Sequence, residues 1–337
     1  MKVFFRVDGG DIYSVAMGHI YRCLKVARLL RDKLKIESTF IAKNYEEGVS
    51  KIKEEQFETL LLDNDCGLDD DVQLTSQYVS GKCLITDVRH YKENDVIMLK
   101  EMCECLIMFD DHGKSAISPN VVINPSIVPE QREYDIVDNT EYYLGPDYFL
   151  TGTNVVPRYD IIENVNNIAI SLGGADPARY TEVFVRKASP ISSKYNFTFI
   201  LGPAYNDIKS FKALLSSLDF KAKVLQNIPD LPALFSEMDL VVTAGGETCL
   251  ELAYIGTPGL VVPTIEYEIE TAKYLENQEV FINLGDIKKL SSTAVCSKII
   301  SFAENLPKRK KYSENGKALI DGNGAKRVTN IILAKIS

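Results

Sequence analysis

Three histidines occur in the 337 residues, and one of them, His19, stands where a helix begins. It closes the segment Ala16-Met17-Gly18-His19, reached through a polar loop from Val7-Asp8-Gly9-Gly10. The positive end of a helix dipole works against a charged imidazole, so a ring placed there is suited to take a proton from water or a hydroxyl. The plainer reading is a histidine satisfied by backbone groups at a helix start. Asp110-Asp111-His112-Gly113 gathers carboxylates beside a second histidine. Adjacent residues rarely share one ion without ligands from elsewhere, so a turn after a buried strand is expected there and no metal. The third, His90, sits in Asp87-Val88-Arg89-His90-Tyr91 at the end of another strand pattern. No Ser-His-Asp or Cys-His arrangement points to a covalent nucleophile.

Two loops have the chemistry of anion binding. Ser171-Leu172-Gly173-Gly174-Ala175-Asp176-Pro177 follows an apolar strand, with Asp176 suited to cap a helix and Pro177 to start it. Ala244-Gly245-Gly246-Glu247-Thr248 follows another strand and leads to a helix expected over 249–255, closed by Gly256-Thr257-Pro258. Paired glycines let backbone amides approach an anion, and a helix N-terminus favours negative charge. Either loop alone could be a tight βα turn; two in one half could converge on a diphosphate. Neither is a Walker loop or a GxGxxG dinucleotide turn, so no cofactor is expected. Glu251 lies one helical turn beyond Thr248, where its carboxylate could accept both ribose hydroxyls of a nucleotide. Thr248-x-x-Glu251 is equally a capping box, and both readings stand.

The elements that must position these groups alternate from end to end. Short apolar strands are expected at 3–7, 38–42, 59–62, 83–86, 105–109 and 121–123, then at 167–172, 198–201, 223–225, 240–243 and 259–262, with amphipathic helices between them. In the helix that begins at His19, Ile20, Cys23, Leu24, Ala27 and Leu30 share one face. Such alternation predicts an α/β protein of two doubly wound, Rossmann-like parallel-sheet domains facing a cleft. Pro146, Gly152, Pro157 and several Asn mark the break, giving domains at 1–150 and 167–337 joined by a linker at 151–166. A net charge of −9 argues against a nucleic-acid partner. The run Lys308-Arg309-Lys310-Lys311 reads as a solvated face. Seven cysteines without a CxxC pair, no signal-peptide pattern and no membrane-length apolar run lead to the expectation of a cytoplasmic protein without disulfides.

Six segments, in order, carry a resemblance to a known family. They are Arg6-Val7-Asp8; Gly18-His19 with Arg22-Cys23; Asp110-Asp111; Ser171 to Asp176; Thr243 to Thr248 with Glu251 and Gly256-x-Pro258; and Asp321-Gly-x-Gly-x-x-Arg327-Val328. Together they span nearly the whole chain, and it resembles the nucleotide-sugar hydrolases of pseudaminic acid biosynthesis and their spore-coat polysaccharide relatives. The resemblance implies a glycosyltransferase-B (GT-B) fold holding a UDP-sugar mainly through the C-terminal half, and metal-free cleavage of the sugar–diphosphate bond by water. By position it makes His19 the base and Asp8 a sugar-side contact, with Gly18 beside them. It brings Gly173, Gly174, Gly245, Gly246 and Thr248 to the diphosphate and Glu251 to the ribose. Three departures stand out. Ala16 replaces a glycine. The family's Asp-x-Tyr becomes Asp87-Val88-Arg89-His90-Tyr91, so that Tyr91, taken as a further catalytic candidate, matches only with a shift. The family's Ala-Glu-Asn-Gln loop reads Ile265-Glu266-Tyr267-Glu268, which leaves Glu266, Tyr267 and Glu268 to face the sugar.

The leading expectation is hydrolysis of a UDP-sugar, of the UDP-2,4-diacetamido-2,4,6-trideoxy-hexose type, to free sugar and UDP. A diphosphate leaves readily, so the site needs donors for the developing phosphate charge and a base that orients water. The alternatives are a GT-B glycosyltransferase that uses the same base on an acceptor hydroxyl, an epimerase on the same fold, or a non-catalytic nucleotide-sugar-binding relative.

Overall fold

The computed structural model describes residues 2–10, 17–111, 113, 118–153, 155–202, 204–226, 228 and 230–336. Ala16 and His112, singled out above, lie outside them. The chain forms two compact units, one of residues 1–152 with 322–337 and one of residues 153–321. Both are parallel-sheet α/β units, as the alternation predicts.

The first unit runs β1 (Lys2–Val7), α1 (Gly18–Leu34), β2 (Glu37–Lys43), α2 (Glu46–Glu54), β3 (Glu58–Leu62), α3 (Leu68–Val79), β4 (Cys83–Asp87), α4 (Glu93–Met102), β5 (Cys105–Phe109), β6 (Val121–Asn124) and β7 (Glu141–Leu144). Its seven strands lie in the order β3-β2-β1-β4-β5-β6-β7. β1 is apolar on both faces because helices cover both sides of a parallel sheet. Val3, Phe5 and Val7 pack with Ile20, Cys23, Leu24 and Ala27 of α1. The intervening Phe4 packs with Val72 of α3 and Val96 and Leu99 of α4. The strand period of two therefore sends Arg6 to the α3 side.

The second unit runs β8 (Asn167–Ser171), α5 (Tyr180–Ala188), β9 (Asn196–Leu201), α6 (Ile208–Ser217), β10 (Ala222–Gln226), α7 (Leu231–Ser236), β11 (Leu240–Ala244), α8 (Glu247–Ile255), β12 (Gly259–Val262), α9 (Tyr267–Asn277), β13 (Ile282–Asn283), α10 (Ser292–Ala303) and α11 (Leu306–Leu319). Its six strands lie in the order β10-β9-β8-β11-β12-β13. Phe184, Phe197, Phe199, Phe211 and Phe220 build an aromatic core between this sheet and α5 and α6.

Sequence and structure part at the end of the chain. A final helix, α12 (Gly324–Ile336), was expected in the second domain but belongs to the first unit. Val328, Ile331, Ile332 and Ile336 enter the core that α1 and β1 share. Lys335 pairs with Glu141, and Arg327 donates to the Asp147 carbonyl at 3.0 Å. Residues 153–166, expected to link the domains, belong to the second unit. The Arg158 guanidinium donates to the Met238 carbonyl, and the Arg309 guanidinium to those of Ile162 and Glu163.

Gly324 packs so closely that a Cβ there would lie 2.1 Å from the Phe149 carbonyl oxygen. Gly324→Val should destabilise the first unit by about 1–3 kcal/mol, as overpacking does elsewhere. Hydrogen exchange checks this: β1 and β4 should lose protection while β8 and β11 keep theirs. Loss in β8 instead would place α12 in the wrong unit.

Candidate functional site

In the first sheet the strand order reverses between β1 and β4, and open α/β sheets bind ligands beyond the carboxyl ends of the strands at such a point. Val7 pairs with Asp87 there. Asp87 ends β4, and α1 begins after the loop that leaves β1, so His19, its second residue, comes to the same edge. The His19 Nδ1 lies 2.8 Å from Asp87 Oδ1. Arg22 is one helical turn beyond His19, on the same face. Its guanidinium grips Asp87 through Nε and Nη2, each at 2.7 Å, and Asp111 through Nη1 at 2.6 Å and Nη2 at 2.9 Å. It also lies over the Phe109 ring, 5.0 Å from its centre.

This network assigns the imidazole proton. Nδ1 stands 2.8 Å from a carboxylate, which only accepts, and 3.2 Å from Arg22 Nη2, which only donates. The shorter contact and the charge of Asp87 place a hydrogen on Nδ1, so that in the neutral ring the lone pair is on Nε2. No described group bonds to Nε2. Burial works to raise the Asp87 carboxyl, and the charge of Arg22 with the His19 and Arg22 hydrogen bonds more than offsets it, so its pKa is lowered. Asp111 is lowered in the same way, burial again being outweighed by Arg22. Burial alone would lower Arg22, and Asp111 and Asp87 together hold it well above its ordinary value. A pocket of ≈ 200 Å³ opens here, lined by His19, Asp87, Arg89, Asp110 and Asp111 among others.

Two expected catalytic groups have partners other than His19, although Tyr91 also lines this pocket. Asp8 accepts from Arg6 Nη1 at 2.6 Å and Nη2 at 2.8 Å, and from the Lys43 amide at 2.8 Å. The carboxylate that touches His19 is Asp87, not Asp8. Arg6 is fully buried and also holds Asp71 of α3, through Nε at 2.9 Å and Nη2 at 2.5 Å. Tyr91 is 5 % exposed, and its hydroxyl donates to Asp71 Oδ1 at 2.9 Å. Burial pushes its phenol well up. β4 ends at Asp87, and four residues later the chain has turned back onto α3, so Tyr91 braces the Arg6–Asp71 pair. His90 Nε2 lies 3.4 Å from Asp71 Oδ2. The His19–Asp87–Asp111 and Asp8–Asp71–His90 groups each have ligand atoms within 4.8 Å of one another, as a cation site requires. In both, an arginine guanidinium already rests on the carboxylates. Gly18 is the first residue of α1.

In the second sheet the order reverses between β8 and β11, and the two glycine pairs follow those two strands. Gly173 has φ +105°, and Cβ atoms at Gly173 or Gly174 would meet nothing within 4 Å, so their backbone is open to a ligand. A Cβ on Gly202, by contrast, would lie 2.1 Å from the Gly174 carbonyl oxygen, which fixes the rear of this loop. The helix after the first pair starts at Tyr180 rather than Pro177. Asp176 caps it from a distance, accepting from the Tyr180 amide at 2.7 Å and the Thr181 amide at 2.8 Å. α8 starts at Glu247, two residues earlier than expected, with Gly246 as its N-cap. Thr248 is thus inside the helix and not its cap. Glu268, expected at the sugar, turns inward. It is 7 % exposed, and its Oε2 accepts from the Thr264 amide at 2.7 Å and hydroxyl at 2.9 Å. Its Cβ would lie 2.8 Å from one on Gly245, so it supports the second glycine loop from beneath. Glu266 and Tyr267 are exposed.

Two doubly wound parallel-sheet units, each with loops that emerge at a reversal of strand order, define a protein of the glycosyltransferase-B fold. The chain superimposes on MurG of Acinetobacter baumannii with a TM-score of 0.72 at 13% identity, covering 99% of this chain and 100% of that one. A kitacinnamycin glycotransferase also gives 0.72 at 13% identity, over 100% and 99% of the two chains. The model of the glycosyltransferase family 28 C-terminal domain matches residues 169–328. In sequence the chain is 24% identical to the spore coat polysaccharide biosynthesis protein SpsG of Bacillus subtilis over 98% of both chains. It is 27% identical to Methanocaldococcus jannaschii MJ1062, over 80% of this chain and 57% of that protein. It is 24% identical to the Helicobacter pylori pseudaminic acid cytidylyltransferase and UDP-2,4-diacetamido-2,4,6-trideoxy-β-L-altropyranose hydrolase, over 66% of this chain and 42% of that protein. The chain thus spans about half the length of these last two relatives. It has the GT-B fold and is similar in sequence to SpsG along its whole length.

Arg22→Met would leave Asp87 and Asp111 without their shared cation, at a cost of about 3–5 kcal/mol at neutral pH. A carboxylate lowered by folding contributes stability above its unfolded pKa of about 3.9 and loses it as pH falls through the folded value. Without Arg22 the two like charges raise each other, so protonation relieves the variant. Its deficit against the wild type should therefore narrow from pH 7 toward pH 4 in urea titrations. A constant deficit would show that Arg22 contributes something other than charge.

Proposed function

We propose that this protein hydrolyses a UDP-sugar to free sugar and UDP, with His19 as the general base. The observation that carries this reading is the His19–Asp87 contact at the first sheet's switch point. Asp87 fixes the ring with hydrogen on Nδ1, and the Nε2 lone pair is left for water. Water oxygen attacks the anomeric carbon while its proton passes to Nε2. The bond from that carbon to the diphosphate oxygen breaks, and its electron pair leaves on UDP. In the second unit, the amides around Gly173–Gly174 and Gly245–Gly246, with Thr248, would receive the diphosphate charge. Glu251 would accept the ribose hydroxyls. Likeness to a protein named for hydrolysis of a UDP-trideoxyhexose supports a sugar of that type. The match to a glycosyltransferase family 28 domain favours a second reading, transfer to an acceptor hydroxyl by the same base.

His19→Ala should lower kcat by about 10²–10⁴ while UDP still binds. In ¹⁸O-labelled water the label should enter the sugar at C1 and stay out of UDP, read by mass spectrometry. Label in the phosphate would remove His19 from its role, and turnover only after an alcohol is added would establish the transferase. Glu251→Gln should weaken UDP binding by about tenfold, the order expected for losing a charge-assisted hydrogen bond. Calorimetry with UDP checks it, and unchanged affinity would take Glu251 off the ribose.

A further inference from the structure

We propose that Arg89 binds an anionic group of the substrate at the His19 pocket; this rests on the nucleotide-sugar reading above. Arg89 follows β4 by two residues, is exposed, and lines the ≈ 200 Å³ pocket with His19, Asp87, Asp110 and Asp111. Two other arginines of this sheet edge, Arg6 and Arg22, are each held by a pair of carboxylates. Among the described residues, no hydrogen bond or ion pair engages the Arg89 side chain. Its charge still reaches the pocket, since it helps hold Asp111 in its ionised form.

The electrostatics of the pocket give this free cation a task. Among the described residues its lining carries three carboxylates, and Arg22 is shared between two of them, Asp87 and Asp111. Asp110 accepts from the Tyr134 hydroxyl at 2.8 Å. Left alone, such a lining repels a negatively charged substrate. Among the described lining residues Arg89 is the lysine or arginine, and it supplies positive charge where an anion would approach. A guanidinium presents a planar fork matched to two oxygens of a phosphate or carboxylate, and a free fork loses little water-bound order on pairing. Tyr91 cannot serve in its place, because its hydroxyl is bound to Asp71. The anionic oxygens could be those of the diphosphate or of a carboxylate carried by the sugar.

The test uses the full chain with Arg89→Ala and Arg89→Lys, neither of which touches the His19–Asp87–Arg22 network. Binding of UDP-N-acetylglucosamine and UDP-glucuronate is measured by calorimetry. A loss of about 10- to 100-fold for both sugars in Arg89→Ala, partly restored in Arg89→Lys, assigns the diphosphate. The same loss confined to UDP-glucuronate assigns the sugar carboxylate. Unchanged affinity for both overturns the proposal. A second readout is independent of nucleotide binding: phenylglyoxal modification of Arg89, followed by peptide mass spectrometry. Inorganic diphosphate or glucuronate should slow that modification several-fold, and absence of protection by either counts against the site. If the wild type binds neither nucleotide sugar, the functional reading fails, and the protection assay still decides the role of Arg89.

Discussion

A parallel sheet whose strand order reverses beside its first strand sends successive crossovers to opposite faces, and a crevice remains where they part. Both units of this protein obey that constraint, and their chemistry is laid out by it. In the first sheet the loop after β1 delivers His19 on a helix start, and the end of β4 delivers Asp87. In the second, the loops after β8 and β11 deliver two glycine pairs and the N-terminus of α8. The same topology thus presents a histidine–aspartate pair once and glycine-rich loops once, because the residues at the strand ends differ.

What the topology brings near, charge then fixes in place. Arg6 and Arg22 are each buried between two carboxylates, one of which stands at a strand end and the other on a neighbouring element. Burying such charges is costly, and the planar fork recovers that cost only in one orientation. The arrangement therefore selects a geometry more than it adds stability. Asp87 cannot rotate away from His19 without giving up Arg22, and Arg22 cannot follow without giving up Asp111. A similar lock holds Asp8 and Tyr91 around Arg6 and Asp71.

Much of the architecture was legible in the sequence, since two-sided apolar strands separated by amphipathic helices leave little choice of fold class. β7 and β13 escaped because the first carries Glu and two tyrosines and the second is two residues long. The glycine pairs were legible as turns after strands, although only the second pair leads straight into a helix. The partner of His19 was not. Asp87 lies 68 positions away, and the pairing depends on β1 and β4 being neighbours, which strand periodicity does not reveal. Arg22 and Asp111 stood in the segments of family resemblance, yet only their meeting shows that one charge serves two acids. The contacts of Glu268 were hidden for a related reason. A carboxylate at a helix start can face a ligand or the loop behind it, and the absence of a side chain at Gly245 made room for the second.

The return of α12 to the first unit has a consequence for how the protein is made. The second unit is one continuous stretch, so its core is complete once residue 321 has been synthesised. The first unit has begun by then but lacks the helix that closes the core around α1 and β1. On the ribosome, where domains fold as units when their chain emerges, the later half is thus the first able to finish. The half that carries His19 waits, with part of its apolar interior uncovered, for the last residues of the helix.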